Sequence, residues 1–302
     1  MARTNKQQTK QPKPLQGQAR NPVANETIKM LLKGQVSPNY KNDASSKRRL
    51  AAALQSAQLI PDTRMLPIPA RYTATTSPQV ILYRGGSWEA AEWVLERLQQ
   101  PHHRQYYPTS DNTWGKPVVL DYASDSNPGG CWRGNQYGTQ EEHLCRTSSL
   151  GLSLERLQLQ LQRPYSIPTH GCVYVQDVAV LLCESTGHWR NRPLWCSVIA
   201  AALRNADNHK DFIQAKVRGV VAAASGHGAL VGGAWGCGAF GNDTADVAEA
   251  WRVAALRAPS DMAFLVMALP NKEAFAVFRQ VFPDSLVIDP QQPQGNTIKR
   301  RK

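Results

Sequence analysis

The six cysteines, Cys131, Cys145, Cys172, Cys183, Cys196 and Cys237, form no CxxC pair and lie scattered through apolar runs. That spacing argues against a zinc site and for buried free thiols in a reducing compartment. A leader is also missing: "MARTNKQQTKQPKP" lacks the apolar centre of a secretory signal. No apolar run suits a bilayer span, because the longest stretch of small residues, 220–240, is broken by His227 and by glycines. A cytoplasmic or nuclear location with no membrane contact is expected. GxxxxGK[ST] is absent, which disfavours a P-loop ATPase. The GxGxxG match "GCGAFG" (236–241) lies late in the chain and is a weak dinucleotide fingerprint.

Acidic residues are scarce at the two ends. Residues 1–50 carry eleven Lys/Arg against two Asp/Glu, and the chain closes on Lys299, Arg300, Arg301 and Lys302. The formal net charge is +12, so the body between the ends is nearly neutral. Basic ends on a neutral body fit a polyanionic partner, by non-specific nucleic-acid contact or contact with another phosphate polymer. The plainer reading is a solubilising tail. "SKRR" (46–49) and the terminal "KRRK" also fit nuclear import.

What the chain does have is enough apolar residue, 42% of 302, for one substantial core. Residues 1–42 are too rich in Gln, Lys, Asn and Pro to offset ordering entropy, so a disordered basic tail is expected there, with a possible short helix at 28–33 ended by Gly34. A helix is expected near 46–57. Strands and helices then alternate: strand 79–84, a helix from Ser87, strand 117–123, a β-rich run over "GCVYVQDVAVLL" and strand 195–203. A helix over "DFIQAKVRGVVAAAS", strand 229–234, a helix opened by Asn242 or Asp243, strand 262–269, another helix and a last strand "SLVID" complete the pattern. Such alternation predicts an α/β fold, a sheet covered by helices on both faces. The expected organisation is a tail over 1–42, one catalytic domain over 43–290 and a basic tail over 291–302.

Two glycine-rich loops follow strands, where ligands of such folds sit. "ASDSNPGGCWRGNQYGT" follows the strand at 117, and "AWGCGAFGND" follows the strand at 229. Each precedes a helix start. Loops and helix N-termini of this kind suit phosphate, and two of them suit a diphosphate held from both sides. Glu141 and Glu142 come next, in the first turn of a helix, where the dipole favours them in their charged state. A general acid needs the opposite. A bound diphosphate restores it, by repulsion and by excluding water. Neighbouring helical residues point about 100° apart, so one carboxylate is expected to do chemistry and the other to position.

"NPGGCWRGNQYGTQEEHLCR" resembles the signature of poly(ADP-ribose) glycohydrolases, a glycine triplet followed by Gln-Glu-Glu, and "LVGGAWGCGAFGND" resembles the diphosphate loop of the microbial-type branch. The resemblance implies a macrodomain, a three-layer α/β/α fold with a mixed central sheet. It also implies hydrolysis of ribose–ribose O-glycosidic bonds in poly(ADP-ribose), with poly(ADP-ribose) or ADP-ribosylated proteins as partners and no metal or other cofactor. Residue by residue, it implies that Glu142 is the acid that protonates the leaving ribose oxygen and then activates water. Glu141 would orient the ribose and Asn127 would hold it. Gly129, Gly130, Cys131 and Gln140 belong to the substrate-binding signature. Gly236, Cys237, Gly238 and Ala239 would form the second phosphate loop, and Phe240 would pack near the terminal ribose. Cys131 departs from the triplet, and a positive φ there would cost about 1 kcal/mol. The alternative to the enzyme is a macrodomain that reads ADP-ribose without cutting it. A reader has no need of the acid pair.

Overall fold

The computed structural model describes residues 20–38, 44–67, 77–100, 115–135, 138–161, 165–204, 210–259 and 261–291. Alternation of strand and helix produces one mixed eight-stranded sheet among the described residues. The strands are β1 (Gln58–Ile60), β2 (Gln79–Tyr83), β3 (Pro117–Tyr122), β4 (Cys172–Leu182), β5 (Trp189–Ala201), β6 (Ala229–Gly233), β7 (Phe264–Ala268) and β8 (Leu286–Ile288). Their spatial order is β1-β4-β5-β3-β6-β7-β2-β8. β4 runs antiparallel to β1 and β5, and all pairings from β5 to β8 are parallel. The three-layer α/β/α expectation holds.

The helices are α1 (Pro22–Leu32), α2 (Ala44–Ala53), α3 (Ser87–Leu98), α4 (Gln140–Thr147), α5 (Leu150–Leu161), α6 (Lys210–Ala223), α7 (Thr244–Ala255) and α8 (Lys272–Val281). Strand side chains alternate between two cores, as the period of two requires. Val119 and Ala123 of the β3 segment join α1 to α5 on one face. Val118 and Leu120 join α6, α7 and α8 on the other. Among the described residues, no helix is long and apolar enough to cross a membrane.

The tail boundary at residue 42 needs correction. Asn21 caps α1 through its side chain, and Pro22 opens the helix with a preset φ. Ala24, Thr27, Ile28 and Leu31 are buried, and Thr27 Oγ1 donates to Arg146 O at 2.6 Å. Four inward residues at helical spacing suffice to hold a segment whose overall composition is polar. Residues 1–19 of that expected tail, and all but residue 291 of the tail expected over 291–302, lie outside the described residues. β5 begins six residues before the expected strand, α5 and β1 had no sequence expectation, and the cap of α3 is Gly86 rather than Ser87.

Candidate active site

Both glycine-rich loops leave the carboxyl ends of adjacent parallel strands. β3 and β6 pair from Pro117–Ala229 to Val119–Val231 and then separate. Beyond that point β3 offers backbone groups with no strand beside them on the β6 side. Gln140 fills the gap. Its Oε1 accepts from Tyr122 N at 2.9 Å, and its Nε2 donates to Leu120 O at 2.7 Å and Ser87 Oγ at 3.1 Å. Its carboxamide is bonded to the sheet and docks the helix that carries the acids.

Glu141 and Glu142 follow in the first turn of α4, and both are buried. Glu141 Oε2 accepts from Ser124 N at 2.8 Å, and its Oε1 has no hydrogen-bond partner among the described residues. Glu142 Oε1 accepts from Cys131 N at 3.1 Å. Glu142 Oε2 accepts from Thr139 N at 3.1 Å and from the Thr139 hydroxyl. Thr139 and Glu142 thus form a capping box. The two carboxylates converge on Gly130. A methyl group there would collide with Glu142 Oε1 and stand 2.8 Å from Glu141 Oε2, and Gly130 also has φ +58°. Helix-start position alone depresses a carboxyl pKa. For Glu141 burial wins and pushes it far above the carboxylate range, with the charge of Asp121 adding to the effect.

Cys131 does not have positive φ, since Asp177 alone does among the described non-glycine residues. The strain considered for the third triplet position is therefore absent. The Cys131 side chain is exposed, and its contribution is its N–H. Asn127 is exposed and turns the loop through Gly130 N to Asn127 O at 3.0 Å. Gly129, at φ +74°, lies against Trp132 and Cys145.

The second loop turns at Gly236, φ +72°, held by Asn242 Nδ2 donating to Gly236 O at 3.0 Å and Leu203 O at 2.8 Å. Gly238 and Ala239 are exposed, while Cys237 and Phe240 are half-buried. Burial pushes the Cys237 thiol up to about 11, so it stays neutral.

Several residues that position this site were not singled out from the sequence. Asp121 is fully buried on the α4 side of β3, and neither carboxylate oxygen has a partner among the described residues. Burial, then the charge of Glu142, raises its pKa. An acid inside the apolar run "PVVLDYA" was the signal that could have marked it. Trp132 is buried on Gly151 and donates Nε1 to Glu155 at 3.2 Å, and Glu155 also binds Arg133. Arg146, from the end of α4, reaches back to Trp132 O at 2.9 Å and Gly134 O at 3.0 Å. Trp235 and Trp251 brace the second loop through Ala201 O and Gly233 O. Glu184 accepts from Trp88 N and Glu89 N at the start of α3 and lies 3.2 Å from His143 Nε2 of α4, tying the β4–β5 turn to both helices.

The arrangement offers two loops with exposed backbone beside two buried carboxyl groups of unlike surroundings. The family model described as microbial-type PARG, catalytic domain, matches residues 24–182. No curated protein matches the chain. A solved structure of poly(ADP-ribose) glycohydrolase from Thermomonospora curvata superposes with a TM-score of 0.65 at 21% identity, covering 86% of this chain and 98% of that one. The same protein bound to the inhibitor ADP-HPD gives 0.61 at 21% identity over 85% and 97%. Poly(ADP-ribose) glycohydrolase from Deinococcus radiodurans in complex with ADP-ribose gives 0.56 at 21% identity over 77% and 96%.

Proposed function

Because the chain belongs to the microbial-type PARG catalytic-domain family and is thereby a poly(ADP-ribose) glycohydrolase, we propose the division of labour among its residues. Glu142 is the general acid and base. It protonates the leaving ribose oxygen, and as a carboxylate it then takes a proton from the attacking water. Glu141 orients the ribose. The observation that carries this reading is the convergence of both carboxyl groups on Gly130, where a sugar can approach closely because no Cβ intervenes. Gly129, Gly130 and the Gly236–Ala239 loop place backbone on the two sides of the diphosphate. Asn127 and Phe240 contact the ribose from the exposed and half-buried rims. The substrate diphosphate raises the proton affinity of the acid by proximity, and it stabilises the positive charge of the oxocarbenium-like transition state. The chain needs no metal in this scheme, since its own carboxyl groups move the protons.

One observation favours exchanged roles. Glu141 has the unpartnered oxygen and the raised pKa, whereas both oxygens of Glu142 already accept hydrogen bonds. Release of ADP-ribose from poly(ADP-ribose) separates the two. Glu142→Gln is expected to lower turnover by about a hundredfold or more while keeping ADP-ribose affinity. Glu141→Gln is expected to weaken binding and turnover together. The reverse pattern assigns the acid to Glu141.

The basic ends are proposed to hold the polymer electrostatically, with non-specific nucleic-acid contact as a by-product of the same charge. Nucleus and cytoplasm both suit a protein with this substrate.

A further inference from the structure

The first turn of α3 carries half a capping box. Glu89, three residues past the N-cap Gly86, accepts from Gly86 N at 3.2 Å. Gly86 has no side chain to return the bond to Glu89 N. Glu184 returns it from the β4–β5 turn: its Oε2 accepts from Glu89 N at 3.0 Å and from Trp88 N at 2.8 Å. A Cβ at Gly86 would collide with the Glu184 carboxyl group. Gly86 has φ −76°, which any residue adopts, so what the position requires is space. Gly86 and Glu184 fit as a pair, and the helix takes its cap from a turn far away in sequence.

α4 rests on that same turn. Gln140, His143 and Thr147 fall at i, i+3 and i+7, on one face of α4. Gln140 Nε2 donates to Ser87 Oγ at 3.1 Å, and Trp88 Nε1 donates to Thr147 Oγ1 at 3.0 Å. His143 Nε2, between them, lies 3.2 Å from Glu184 Oε1, at ion-pair distance though not aligned as a hydrogen bond. The whole face thus meets Glu184 or the two α3 residues beside its cap. Glu141 and Glu142 lie off this face, about 100° and 200° round the helix from Gln140. A rotation of α4 by about 10° swings a carboxyl group at the helix surface through about 1 Å, and a misplacement of that size costs about a hundredfold in rate.

We propose that Glu184 is a positioning residue for the glycoside cleavage: by capping α3 in place of Gly86 and holding His143, it fixes the rotation of α4 and so the aim of Glu141 and Glu142. The proposal rests on the reading that the acid lies on α4, whichever of the two glutamates it is. Glu184 itself touches no substrate. Its effect passes through Ser87 and Trp88 to both ends of α4 and through His143 to the middle. The phosphate-binding loops after β3 and β6 are not bonded to Glu184, so substrate affinity is not its concern.

Release of ADP-ribose from poly(ADP-ribose) by the full chain, measured well below the unfolding temperature of each variant, tests this. Glu184→Ala is expected to lower kcat by about ten- to hundredfold, the scale of a displaced catalytic group, with KM within about threefold of wild type. Glu184→Gln keeps an oxygen that accepts from Trp88 N and Glu89 N, so it should recover most of the loss. A purely structural glutamate would lower the unfolding temperature in Glu184→Ala and leave kcat alone. Wild-type kcat in Glu184→Ala, a loss confined to KM, or a Glu184→Gln as impaired as Glu184→Ala overturns the proposal. If Glu184→Ala does not fold, Glu184→Asp withdraws the carboxylate by one methylene and keeps its charge, and kcat within about twofold of wild type then overturns it. Glu141→Gln and Glu142→Gln are the controls. Wild-type turnover in both removes the acid from α4 and the proposal with it. An impaired acid variant beside a wild-type Glu184→Ala removes only the role of Glu184.

Discussion

Gly130 and Cys131 are chain neighbours with opposite tolerances. Gly130→Ala puts a methyl group against both carboxylates at a positive φ, so turnover should fall by about a hundredfold or more, on the scale of losing the acid itself, and stability by about 1 kcal/mol. Cys131→Gly keeps the N–H that binds Glu142, so ADP-ribose release should stay close to wild type. Thermal unfolding should show a loss of about 0.5–1 kcal/mol from added backbone freedom. A large activity loss in Cys131→Gly would mean that the thiol itself takes part. Asp121 leads to a pH prediction. Its folded pKa is raised, first by burial, so its contribution is complete in acid and is lost as pH rises through the folded value. Asp121→Asn should therefore flatten the fall in stability from the ordinary carboxylate range upward, and an unchanged slope in pH-dependent denaturation contradicts this.

At the scale of elements, the separation of β3 from β6 decides where α4 can sit. Gln140→Ala leaves Tyr122 N and Leu120 O without their partner and should cost about 1–3 kcal/mol, with activity lost because the acids move with their helix. Denaturant midpoints and turnover measured together check it; a destabilised variant with normal turnover would mean that α4 is held elsewhere. This docking was not legible in "QEE", because a side chain that replaces a strand depends on which strands are adjacent. The glycine loops and the acid pair were legible, since they are local in sequence. The helix opened by Asp243 and the last strand were legible through caps and apolar periodicity. α1 was legible only in its last turns, as the short helix over 28–33 ended by Gly34, because composition averaged over forty residues hides its start and most of its inward side chains. Asp121 was hidden by an apolar strand that supplies a rule for Val118 to Leu120 and none for an acid.

For the whole molecule, α1 covers α4 from outside, and the family match beginning at residue 24 includes it. Removing residues 1–19 and 299–302 should leave hydrolysis of short substrates unchanged. It should also weaken binding to long polymer and flatten its salt dependence. Equal binding of long polymer at low and moderate salt would leave the ends as solubilising segments. Removing residues 1–38 should instead cost about 3 kcal/mol or more, since Ile28 and Leu31 lose their burial. The strand order has a further consequence for synthesis on the ribosome. Among the described residues β2 pairs only with β7 and β8, and β3 lies between β5 and β6. A nascent chain that has emerged as far as residue 182 already contains both glutamates, yet its second strand has no neighbour to join. The sheet closes when residues from 264 onward arrive, so a prematurely terminated product carries both glutamates on α4 while β2 stays an exposed, aggregation-prone strand sequence.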